Sequence, residues 1–68
     1  MAAELSNRLR DLRTERGLTQ AALAERVGVS RKTVNTVENG VFIPSALLAL
    51  KLARALDCAV EAIFSLED

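Results

Sequence analysis

The sequence predicts an all-α fold, a bundle of five short helices, and three observations carry that prediction. Half of the residues are apolar, yet only Phe42 and Phe64 are aromatic, so the core is aliphatic and alanine-rich, a mix that favours closely packed helices over strands. Gly17, Gly28 and the pair Asn39-Gly40 divide the chain at helix-length intervals. Good capping residues, Thr19, Ser30 and Ser45, stand directly before the segments that follow.

Taken in order, Leu5, Leu9 and Leu12 recur at helical spacing and mark a first helix that Gly17 stops. Thr19 caps a second over 20–27, ended by Gly28, and Ser30 caps a third over 31–38, closed by Asn39-Gly40. Residues 41–44 form a loop running into Pro44, and Ser45 opens a fourth helix over 46–56. That segment offers water only Lys51 and Arg54, on one stripe. A helix apolar nearly all round is buried on several sides, so it belongs at the bundle's centre, with part of it available to a partner subunit. A last short helix carries Val60, Ile63 and Phe64 on one face. Strand signals are confined to the two ends, which could be extended and pair.

Residues 1–68 form a single domain, and a domain this small buries only ~60% of its unfolded surface and gains from association. A lone cysteine, Cys58, precludes an internal disulfide framework and fits a reducing compartment as a small core or boundary residue. No apolar run approaches the ~20 residues of a membrane span, and the start lacks the pattern of a signal peptide, so a cytoplasmic, nucleoid-associated protein without membrane contact is expected. The zero net charge hides an asymmetry. Residues 1–34 hold seven cations against four carboxylates, +3, and residues 35–68 hold two against five, −3. A phosphate-facing surface needs only local positive charge.

Residues 20–39 are the informative stretch. Two helices crossing steeply over a tight turn need a small residue at the crossing, which Ala24 supplies, and a residue tolerant of positive φ in the turn, which Gly28 supplies. The second helix must return aliphatic residues to the first at a three-residue interval; Val34 and Val37 do so, with Val29 plugging the turn. Arg31, Lys32, Asn35 and Thr36 then lie on the opposite, outward face, and Ser30 is the cap. Arg13 shares the apolar stripe of its helix, four residues after Leu9, and Glu38 follows Val34 by four on the inward side. Opposite charges aimed at one core must pair, because an unpaired buried charge is very costly.

With these features in register, the chain resembles the Xre/Cro family of phage and bacterial repressors over almost its whole length. The resemblance rests on Arg-Thr-Glu-Arg-Gly-Leu-Thr-Gln (13–20), Leu-Ala-Glu-Arg-Val-Gly-Val-Ser-Arg (23–31), Val-Glu-Asn-Gly (37–40), Pro-Ser (44–45) and Ala-Leu…Ile-Phe (55–64). It is strongest to the minimal members that are little more than the DNA-binding domain. The resemblance implies a five-helix, lambda-repressor-like bundle that binds a double-stranded DNA operator as a two-fold homodimer, with half-sites about one helical turn (~34 Å) apart.

It also implies roles. Arg31, Lys32 and Thr36 match the family's base-reading positions, with Asn35 added from its place on the same face; Arg and Lys suit the paired acceptors of guanine and Thr the thymine methyl. Gln20 and Asn39 match phosphate-contacting positions, Ser30 is expected to combine capping with a phosphate contact, and Arg10 and Arg16 add positive charge. Family members that match at both positions carry the Arg13–Glu38 bridge.

Two departures stand out. The loop Val41-Phe42-Ile43 replaces a stretch that usually carries a phosphate-contacting Lys or Arg, and Ala59 stands where Ser or Thr often caps the last helix, so that helix starts loosely unless Asp57 substitutes. Phe42, Ile43, Val60, Ile63, Phe64 and Leu66 are therefore the candidate subunit interface. No histidine, metal-ligand spacing, phosphate-binding glycine loop or activated nucleophile is present, which argues against an enzyme and calls for no cofactor or metal. The expected function is a sequence-specific transcriptional regulator of the repressor type. The alternatives are an antitoxin or restriction–modification controller using the same domain, with a toxin or regulator as protein partner, or an interaction module that has lost DNA binding.

Overall fold

A computed structural model describes residues 4–67. The order of elements is β1 (Glu4–Asn7), α1 (Leu9–Glu15), α2 (Gln20–Val27), α3 (Arg31–Glu38), α4 (Ala46–Ala55), α5 (Val60–Ile63) and β2 (Phe64–Glu67). The architecture is a five-helix bundle of the helix-turn-helix type, to which the two ends add an antiparallel ribbon in the register Glu4↔Glu67, Leu5↔Leu66, Ser6↔Ser65, Asn7↔Phe64.

Local chemistry sets the helix boundaries. Thr19, Ser30 and Ser45 are extended and each accepts, through its hydroxyl oxygen, a backbone N–H three residues on: Ala22 at 3.0 Å, Thr33 at 3.1 Å and Leu48 at 3.1 Å. Gly28, at φ 74°, reverses the chain after α2, so that the Val29 N–H reaches the Ala24 carbonyl at 3.0 Å. Asp57 performs the same service for α4 at φ 53°, with the Cys58 N–H on the Ala53 carbonyl. It therefore terminates α4 rather than capping α5, whose N-cap position, Ala59, supplies no side-chain cap.

The ribbon corrects the ends of the sequence reading. Leu5 belongs to β1, not to the first helix, and α1 begins only at Leu9. Phe64 belongs to β2, not to the last helix, and its side chain is buried in the core. Where the ribbon meets the bundle the Arg8 N–H donates to the Ile63 carbonyl at 2.8 Å, and the paired hydroxyls of Ser6 and Ser65, 2.9 Å apart, bridge the two strands of the ribbon itself.

The core is one cluster in which Leu9, Leu23, Val34, Val37, Leu52, Leu56 and Ile63 are the most deeply buried large side chains. Leu48, Leu52 and Ala53 bury one side of α4, whereas Leu47 and Leu50 face water at 64% and 60% exposure. The fourth helix is thus packed on one side and open on the other.

Candidate nucleic-acid interface

The third helix is anchored from beneath. Val34 and Val37 are buried to 1% exposure each, and the Ser30 cap secures the first turn. On the outer side, Arg31 and Lys32 are exposed and Asn35 and Thr36 are half-buried. The Thr36 hydroxyl donates to the Thr33 carbonyl at 3.0 Å, so it keeps only acceptor capacity for anything outside the helix.

The far end of α3 is held by a buried carboxylate. The Glu38 side chain has no exposed surface, and it accepts from three side chains on two other helices at once. Arg13 of α1 donates through Nε to Oε2 at 2.6 Å and through Nη2 to Oε1 at 3.3 Å, while its Nη1 donates to the Leu18 carbonyl at 2.7 Å. Gln20 of α2 donates through Nε2 at 3.0 Å, and Arg10 through Nε at 3.4 Å. Burial raises the pKa of such a carboxyl; the hydrogen bonds from Arg13 and Gln20, the Arg13 charge and the Arg10 bond outweigh it and hold the group below its ordinary 4.5. The geometry ties α1 and α2 to the end of α3 and so fixes the angle at which its outer face projects.

Several side chains proposed for phosphate contact join this assembly. Gln20 and Arg10 are both on Glu38, and Arg10 also donates through Nη2 to Asn39 Oδ1 at 3.2 Å. Ser30 lies at the other end of the helix, exposed, its hydroxyl 2.9 Å from that of Thr33. Arg16 is turned away from this surface, with Nε donating to the Leu56 carbonyl at the end of α4 and Nη1 to that of Leu12.

The sequence profile described as helix-turn-helix matches residues 9–63, from the first residue of α1 to the last of α5. The chain belongs to this helix-turn-helix family, of the Xre/Cro type. The helix-turn-helix chain is 42% identical over 64 residues to YgzD of Bacillus subtilis, an uncharacterised HTH-type transcriptional regulator, covering 94% of this chain and 97% of that one. Among solved structures it is similar to the restriction–modification controller protein C.AhdI from Aeromonas hydrophila, at 45% identity and TM-score 0.78 over 81% of this chain and 83% of that one. It is also similar to the P22 c2 repressor protein, solved in complex with a synthetic operator, at 33% identity and TM-score 0.77 over 79% and 82%. It is a transcriptional regulator of the DNA-binding helix-turn-helix class. Among the described residues, no helix is long and apolar enough to cross a membrane.

One positioning residue of the helix-turn-helix domain escaped the sequence reading, which ran a helix through it. Asn7, the last residue of β1, accepts the Leu9 N–H on Oδ1 at 3.1 Å and donates from Nδ2 to the Val37 carbonyl at 3.0 Å. It starts α1 and satisfies a carbonyl of the last turn of α3 with one side chain. Its signal was an Asn two residues before the first buried leucine, the spacing of an Asx turn. Asn7→Ala is expected to cost about 1–2 kcal/mol in urea denaturation, and Asn7→Asp, which keeps only the acceptor, about half as much. Equal stability of all three proteins would show that these bonds contribute nothing.

The candidate interface residues are divided by the fold. Phe42, Ile43 and Leu66 are exposed at 47%, 72% and 69%, and Val60 is half-buried against the core. Ile63 and Phe64 are themselves core, at 1% and 8%, and offer a partner little surface. Ile63 is buried from the end of α5 and Phe64 from the first position of β2. Phe42 and Ile43 instead rim a hollow of about 420 Å³ floored by Leu5, Val37, Pro44 and Phe64.

Proposed function

We propose that this chain is a repressor-type regulator that reads operator half-sites in the major groove as a homodimer. One observation carries it: the exposed Arg31 and Lys32 stand at the capped start of a helix whose other side is rooted by Val34 and Val37 and whose end is clamped through Glu38. A rigid helix with a cationic tip suits insertion into a groove about 12 Å wide. Arg31, Lys32, Asn35 and Thr36 read base edges, while Gln20, Ser30, Asn39 and Arg10 contact phosphate. The partners are an operator duplex and a second copy of the chain, and the site of action is the nucleoid. The open apolar residues Phe42, Ile43 and Leu66, with Leu47 and Leu50 on α4, supply material for the subunit contact. Likeness to a repressor solved with its operator supports the same use of α3.

The test is a titration with a duplex selected from a random pool and with its scrambled version, at two salt concentrations. A dimeric reader binds the selected duplex at least a hundredfold more tightly, and its affinity falls steeply with salt. Equal, weak binding of both duplexes would leave only an interaction module.

The similarity to C.AhdI favours a second reading, a restriction–modification controller using the same surface. It requires the selected sequence to occur upstream of a methyltransferase–endonuclease gene pair in the source genome.

A further inference from the structure

A line of side-chain hydrogen bonds leads from the buried Glu38 carboxylate out to the reading face. Glu38 Oε1 accepts from Arg10 Nε at 3.4 Å, Asn39 Oδ1 accepts from Arg10 Nη2 at 3.2 Å, and Asn35 Oδ1 accepts from Asn39 Nδ2 at 3.2 Å. Its polarity is set by chemistry. A carboxylate only accepts and a guanidinium only donates, so Asn39 must turn its oxygen toward Arg10 and its NH2 toward Asn35. Asn35 must then turn its own oxygen toward Asn39, which leaves its NH2 without a side-chain partner among the described residues and free to donate.

We propose that Asn39, held by Arg10, is a specificity-determining residue that presents Asn35 to DNA as a hydrogen-bond donor. This rests on the reading of α3 as the recognition helix. A free asparagine reads adenine by using both ends of its amide, accepting from N6 and donating to N7. With its oxygen turned toward Asn39 and one of its two lone pairs engaged there, the Asn35 amide is held away from that two-point mode. It favours the bases whose major-groove edges carry only acceptors, guanine with N7 and O6 or thymine with O4, and disfavours cytosine, whose N4 is a donor. The second hydrogen of the Asn39 amide stays available for a phosphate.

The test is selection of bound sequences from a random duplex pool by the full chain, by Asn35→Ala and by Asn39→Ala, read as the ratio between bases at each position. A lost phosphate contact at Asn39 lowers affinity for all four bases alike and does not move that ratio. The native protein is expected to favour guanine or thymine about fivefold at one position of each half-site. Asn35→Ala flattens that position alone. Asn39→Ala, with the Asn35 oxygen released, shifts it toward adenine. An adenine preference in the native protein at the position Asn35→Ala flattens would overturn the proposal, as would an Asn39→Ala profile identical to the native one, or an Asn35→Ala profile unchanged at every position. A native protein that enriches no sequence refutes the recognition-helix reading itself, a result distinct from these.

Discussion

Arg13→Ala is expected to destabilise the domain by about 3 kcal/mol, within the ~3–5 kcal/mol range for removing one partner of a buried ion pair. Glu38 has no exposed side-chain surface and Arg13 only 11%, so water cannot replace the lost guanidinium, and the Leu18 carbonyl loses its donor as well. Arg10, still 3.4 Å from the carboxylate, keeps the cost toward the low end. Because domains of this size have only a few kcal/mol in total, the variant should be largely unfolded near 37 °C. The double variant Arg13→Ala with Glu38→Ala should recover part of the loss, since no charge is then stranded. A urea titration in which Arg13→Ala loses less than 1 kcal/mol would show that the remaining donors suffice.

The same carboxylate gives the fold an acid limit, and the sign follows from the direction of its pKa. The folded value lies below the ordinary 4.5, so Glu38 contributes stability at any pH above that unfolded value. The contribution diminishes as the pH falls below about 4.5 and is gone once the pH has passed through the folded value. Glu38→Gln, which has no proton to take up, should therefore be less stable at neutral pH and show a shallower loss of stability across the acid window.

The parts of this fold legible in the sequence are those whose causes are local. Thr19, Ser30, Gly28 and the paired Val34 and Val37 act within one or two turns of their own positions, and α2, the turn and α3 lie where that chemistry puts them. The ribbon is different. Its pairing joins residues about 60 positions apart, as at Ser6 and Ser65, and Leu5, Leu9 and Leu12 keep helical spacing whether or not Leu5 is helical. Running helices through Leu5 and Phe64, although the two ends were open to pairing, also hid the core position of Phe64, which its place in β2 opposite Asn7 determines. In the reading helix, the outward set Arg31, Lys32, Asn35 and Thr36 follows from periodicity alone. The side chains converging on Glu38 do not: Arg13 could be matched to it by stripe, but Gln20 and Arg10 reach it only through the crossing angles of three helices.

Replacing Arg31 and Lys32 together by alanine is expected to weaken binding to the selected duplex about a hundredfold or more while leaving the fold intact. Both side chains are exposed and neither takes part in the hydrogen bonds that secure α3, so the change in stability should stay within ±0.5 kcal/mol. At the DNA the balance is different, because a well-placed Arg on guanine is worth ~1–3 kcal/mol of discrimination and a two-fold dimer loses the contact twice. The two residues can also be separated. A side chain that reads a base relaxes the preference at one position when removed, whereas one that neutralises a phosphate weakens all sequences alike and reduces the slope of log affinity against log salt by about one. Single variants measured at two salt concentrations therefore assign each cation to its role. A folded double variant with native affinity and native choice of target would leave this face of α3 without a function, and the Glu38 clamp would then orient a helix that reads nothing.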